Sequence, residues 1–340
     1  MLTAMRFLSL FLLLTIGVRA SDYHVIAHFP IGGEGGYDYI RFDEARLRLF
    51  VAHQQKIEVL DTETGKKIGE VSGFNGVHGI ALAPEFNHGF ATSGLDRSVV
   101  MFDLATLAPL KLIKYTGVKP DAIEYDAQTK RIYVANGSTT CDVTVIDPAT
   151  GNITDTITLA SKGKLEQIAF DGERMFVNDE DENVVHLIDL KRLVPVAQWK
   201  LSPGESPTGL AIDRAHHRLF SACGNNRLIV LDSETGRLVA TVPIGSGPDG
   251  AVFDPSTGFI FCSNRDGTLT VIHEDTPDQF VVVQNAATVP GCRTLAFDRK
   301  SNRIFLPTAR FGAPPAAKPE GTAVRAPLLK DTFEIVVVGR

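Results

Sequence analysis

The chain has 340 residues, 44% of them hydrophobic, with 34 Lys and Arg against 40 Asp and Glu and a formal net charge of −6. That length and apolar content suffice for a large buried core. The acidic balance argues against broad phosphate-backbone binding, which depends on neutralisation by Lys and Arg.

The N-terminus comes first. A basic start, Met1-Leu-Thr-Ala-Met-Arg6, leads into the apolar run Phe7 to Val18, then Val18-Arg19-Ala20 ahead of Ser21-Asp22. This order of basic, apolar and small residues reads as a secretory signal peptide, with cleavage near Ala20. The apolar run is too short to span a bilayer as a helix, which takes about 20 residues. The expected mature chain is residues 21–340, one domain, exported to the periplasm or the extracellular space and without an integral membrane segment. Loss of Arg6 and Arg19 leaves 32 basic against 40 acidic residues, a mature charge near −8. Four cysteines remain, Cys141, Cys223, Cys262 and Cys292. Export permits disulfides, and four cysteines allow three complete pairings. Their spacing fits no zinc motif.

Seven copies of one phrase follow. Each starts on an apolar triplet that usually ends in Asp: Tyr39-Ile-Arg-Phe-Asp43, Gly79-Ile-Ala-Leu-Ala83, Ala122-Ile-Glu-Tyr-Asp126, Gln167-Ile-Ala-Phe-Asp171, Gly209-Leu-Ala-Ile-Asp213, Gly250-Ala-Val-Phe-Asp254 and Thr294-Leu-Ala-Phe-Asp298. The starts lie 40 to 45 residues apart. A second strand follows each, as in Ile132-Tyr-Val134, and a third, as in Val143 to Ile146. A fourth, such as Leu238 to Ile244, returns to the next start. Alternating β-branched residues bounded by Gly, Asn, Asp and Pro are what strands and hairpins require. Four strands in every 40–45 residues predict an all-β, seven-bladed β-propeller with four-stranded antiparallel blades. The chain ends on a third strand, Phe333 to Val338, and opens after the leader on Tyr23 to Ile31, which resembles the fourth strands. The N-terminal strand is therefore expected to complete the C-terminal blade, closing the ring and hiding two sheet edges.

Tyr133-Val-Ala-Asn136, Val145-Ile-Asp147, Ala149-Thr-Gly151 and Pro243-Ile-Gly-Ser-Gly-Pro-Asp249 resemble the YVTN family of β-propeller repeats, over essentially the whole mature chain. Leu-Phe-Ser-Ala in blade five and His273 in blade six depart from the pattern. The resemblance implies a structural role for the motif residues and transfers no catalytic residue. It also implies export and a binding role, with nucleic acid among the ligands proposed for relatives.

The residues just ahead of the seven triplets should form one ring at the mouth of the central channel: Asp38, His78, Asp121, Glu166, Thr208, Asp249 and Arg293. Four carboxylates with a histidine suggest an electronegative ligand site. They could hold a hard cation such as Ca or Mg, with Asp38, Asp121, Glu166 and His78 as candidate ligands, or transfer protons. A solvated channel opening accounts for the same residue types. A second ring comes from the ends of the second strands: His53, Ser93, Asn136, Asp179, Cys223, Asn264 and Thr308. His53 and His78 fall on adjacent blades, where they could meet. Asp179-Glu-Asp-Glu182 lacks the spacing of a calcium loop. Arg41 and Glu124 stand where other inner strands carry Ala or Val, and need partners or water. In blade seven the long stretch 309–331, rich in Pro and Ala, reads as a lid or an excursion.

The chain carries no nucleophile elbow, P-loop or His-Glu-x-x-His motif. The leading expectation is a binding protein that takes a small ligand or a partner protein at its rim and does no chemistry of its own. The alternatives are a metal-dependent hydrolase or lyase, lactonase-like in layout, and a single-stranded nucleic-acid binder using Arg265, Arg293, Arg310 and Phe311.

Overall fold

The computed structural model describes residues 22–114, 117–137, 139–313 and 326–340. The expected leader and the centre of the blade-seven stretch lie outside the described residues. Seven four-stranded antiparallel sheets form a β-propeller. The inner strands are Tyr37–Asp43, Val77–Ala83, Pro120–Asp126, Leu165–Asp171, Pro207–Asp213, Pro248–Asp254 and Ala296–Asp298. As expected, the N-terminal strand closes the ring: His24–Pro30 pairs with Glu334–Gly339, which pairs in turn with Arg303–Thr308. The seam runs from His24 opposite Gly339 to Pro30 opposite Glu334. Tyr23 seals it, packing edge-on against Phe261 while the Arg340 guanidinium lies 4.6 Å from its ring centre.

The core lies between blades, because a lone four-stranded sheet cannot cover its own two apolar faces. Each second strand carries a fully buried aromatic at the same register: Phe50, Phe90, Tyr133, Phe176, Phe220, Phe261 and Phe305. Burying each such ring contributes about 2–3 kcal/mol. Turns between third and fourth strands repeat one device. The carboxylate of Asp61, Asp103, Asp147 or Asp232 accepts hydrogen bonds from the backbone N–H three residues on. Blade six, where His273 replaces this Asp, does not turn there. Its outer strands Thr268–Thr276 and Gln279–Ala287 run on to nine residues each.

Six of the seven inner strands shift register near their start, for example between Tyr37 and Ile40 and between Pro120 and Ile123. Such irregularities re-aim side chains at barrel and propeller rims, and here they sit beside the residues at the channel mouth. All four cysteines are buried. Among the described residues no helix is long and apolar enough to cross a membrane.

Candidate ligand site at the channel mouth

The first ring converges. The Arg293 guanidinium reaches Asp38 on one side at 2.6 Å and Asp249 on the other at 3.0 Å. His78 Nδ1 lies 2.6 Å from Asp38 and 3.9 Å from Asp121. Lys164 stands 3.6 Å from Asp121 and forms a close ion pair with Glu166. Six of the seven members thus belong to one charged network. Thr208 faces the next blade instead, donating its hydroxyl to the Pro248 carbonyl at 3.0 Å. Tyr39 from blade one spans the channel and donates to Glu166 of blade four at 3.1 Å.

The mouth is mixed in charge, because loop residues add cations beside the inner-strand acids. Lys164 lies one residue ahead of its inner strand, and Arg265, in a neighbouring loop, binds Asp249 at 2.9 Å. Lys164, Arg265 and His78 keep between a third and a half of their side chains in solvent, at 49%, 44% and 37%. The carboxylates beneath them are largely covered. Any solute at the mouth meets donors first and acceptors behind them.

Burial and neighbours set these groups apart. Burial opposes ionisation of Asp38, but the Arg293 charge and the His78 hydrogen bond prevail and hold its carboxyl well below the usual range. Asp121 goes the other way: burial and then the Asp38 charge push it up, against Lys164. Burial and the Asp121 charge push Glu166 up further, with Lys164 opposing them. Burial would lower His78, yet the Asp38 hydrogen bond and the Asp121 charge raise it. One imidazolium between a firmly ionised and a reluctantly ionised carboxyl can hold and pass a proton. Asp38, His78 and Asp121 also offer ligand atoms within 4.8 Å of one another. Glu166 stands outside that group, engaged by Lys164 and Tyr39.

The second ring lies on the same rim but behind the first. His53, Ser93, Asn136, Asp179, Cys223, Asn264 and Thr308 are all at most 3% exposed. Most of their polar atoms are used within or between blades. Asn136 donates to Asp142 and Thr144, Asn264 to Thr268 and Thr270, and Asp179 faces His186 at 3.2 Å. His53 and His78 share no contact among the described residues. The His53 ring lies tilted against Phe333 with centroids 4.5 Å apart and faces Glu58, whereas His78 turns to Asp38. Arg265 and Arg293, considered for nucleic acid, are both engaged by carboxylates.

Arg41 and Glu124 pair with each other across the deeper channel. Below them a cavity of about 640 Å³ opens at the opposite face of the disc, lined by Arg41, Glu124, Gln167, Arg214 and Arg299 among apolar residues. Sequence reasoning did not place this cavity. Its one signal was the charged pair standing where other inner strands carry Ala or Val. Compared with known proteins, the chain matches no family model and no curated protein.

Proposed function

We propose that this propeller is an exported binding protein of the YVTN type that takes a small polar ligand, or a polar surface group of a partner, at the mouth bounded by His78, Lys164 and Arg265. Asp38, Asp121, Glu166, Asp249 and Arg293 form the charged layer beneath. The observation that carries this reading is the convergence of six side chains from different blades, five on inner strands and Arg293 just ahead of one, on one partly solvated network. Side chains on rigid strands are positioned before the ligand arrives, which lowers the ordering cost of binding. A ligand with both acceptors and donors, such as a zwitterion or a polyol, matches the order of exposed cations over buried carboxylates.

A thermal-shift screen of small polar ligands and of Ca, Mg, Mn and Zn ions against the wild-type protein tests the proposal. A ligand that raises the melting temperature of wild type but not of Asp121→Asn or Lys164→Ala supports it. A ligand response that both variants retain in full would place binding elsewhere and reject this mouth.

A second reading, a metal-dependent hydrolase or lyase, is favoured by one feature: the Asp38, His78 and Asp121 ligand atoms lie within 4.8 Å of one another. It requires a divalent ion whose binding is lost in His78→Ala together with turnover of an ester or lactone.

A further inference from the structure

Outside the channel, the aspartate that ends the blade-five inner strand is served by a histidine rather than by the arginine or hydroxyl donors of its counterparts. Strand-end aspartates are supplied with donors in the other blades that carry one. Arg48 lies 3.0 Å from Asp43, Arg174 pairs with Asp171, and Arg303 lies 3.7 Å from Asp298. Asp126 accepts from Thr129, and Asp254 from Ser256 and Thr257. In blade five the corresponding arginine, Arg218, turns away. Its N–H groups go to the carbonyls of Pro277, His216 and His217 and to the carboxylate of Asp278.

Asp213 is left facing a histidine and a second acid. Its Oδ2 lies 2.6 Å from His216 Nδ1, and the same nitrogen is 3.2 Å from Glu274 Oε1. Glu274 comes from the extended third strand of blade six, just beyond His273, where the sequence departs from its repeat. Asp213 is 2% exposed and Glu274 8%. Neither carboxylate oxygen of Glu274 has a hydrogen-bond partner among the described residues. Two buried carboxylates side by side share the one imidazole nitrogen between them. A single N–H on His216 cannot supply donors to both.

We propose that Asp213, His216 and Glu274 bind one divalent transition-metal ion of the zinc class, which clamps blade five to blade six. The three ligand atoms lie within 4.8 Å of one another. A tetrahedral ion with bonds of about 2 Å holds its ligands about 3.3 Å apart, so small side-chain shifts suffice. The imidazole nitrogen favours zinc, cobalt or nickel over calcium or magnesium, which prefer all-oxygen sets. His216 is half-exposed and gives the ion a path from solvent. The Asp213 geometry is fixed in advance, since its Oδ1 accepts from the Ala215 N–H at 2.9 Å. The site is independent of the channel mouth and does not rest on the ligand reading given for it.

Zinc titration of the chelator-treated full chain, followed by calorimetry and thermal melting, tests this site. One equivalent is expected here, with a rise in melting temperature. His216→Ala and Glu274→Gln should each weaken that equivalent by about tenfold or more, while Asp121→Asn at the mouth leaves it intact. His216 is exposed, so its variant folds and decides the matter if Glu274→Gln does not. Absence of zinc uptake at millimolar metal, or uptake unchanged in His216→Ala, would overturn the proposal. So would an equivalent that Asp121→Asn abolishes.

Discussion

Asp38 and Asp121 flank the same imidazole, yet the protein treats them as opposites. Asp38 has Arg293 and His78 as direct partners, and its folded-state pKa lies below the unfolded value. Its contribution to stability is therefore present above the usual carboxylate range and lost as pH falls through the folded pKa. Asp38→Asn should cost about 3 kcal/mol in urea melts near neutral pH, since it leaves Arg293 short of a partner in a largely covered site. Asp121, raised by burial and by Asp38, binds protons more tightly folded than unfolded. Stability then declines as pH rises from the unfolded carboxylate range through its folded pKa. His78, also raised, adds stability that is full below its unfolded pKa and is lost as pH climbs through the folded one. Asp121→Asn is accordingly expected to be neutral or stabilising by about 1 kcal/mol at mildly alkaline pH and to flatten the pH dependence of the melting temperature. At this scale the ring positions were legible in the sequence, because repeat spacing aligns them. Lys164 was not, and Arg265 stood out only as a nucleic-acid candidate, because both lie in loops of differing length whose reach no spacing reports.

Strands and their turns were the most readable feature. Alternation of apolar residues marked them, and the Asp-centred turns punctuated them. The N-terminal strand was legible too, from its likeness to the fourth strands and the missing partner at the C-terminus. Its role makes a prediction. Phe29, buried against Phe305 with ring centres 6.4 Å apart, should cost about 3 kcal/mol as Phe29→Ala. A chain starting after Pro30 should lose its cooperative melt, and a peptide of residues 22–31 supplied in trans should restore part of it. The second ring shows what alignment alone does not give. Equivalent positions need not have equivalent surroundings: His53 is covered by Phe333 of the C-terminal blade, and Asn264 is held by Thr268 and Thr270 of its own. Likewise His273 was visible as a departure from the repeat. That it lengthens a hairpin and carries Glu274 to the neighbouring blade emerges only when strands are laid side by side.

Seven sheets around one axis give the molecule two unlike ends. One carries the exposed cations over buried acids, and the other opens into the cavity bounded by Arg41 and Glu124. The count of blades followed from the 40–45-residue interval. The cavity did not, because its size depends on how far side chains from facing blades reach across the axis. The Arg41–Glu124 pair links blades one and three, and burial raises Glu124 despite Arg41. Arg41→Ala should cost about 2 kcal/mol, less than the loss of a fully buried pair because the cavity admits water. The double variant Arg41→Ala with Glu124→Ala should recover much of that, a coupling that a double-mutant cycle measures.

The seam also fixes how the molecule answers to force. His24 lies opposite Gly339, so the start of the first strand and the end of the last lie side by side at one end of the same ladder. A pull applied between them loads the rungs one after another, peeling the strand pair as a zipper opens, whereas strands drawn lengthwise past each other would share the load. Tyr23 beneath Arg340 is the first clasp to give way. The same adjacency means that a short peptide joining residue 22 to residue 340 would turn the seam into an unbroken loop of chain, with new ends possible at any exposed turn.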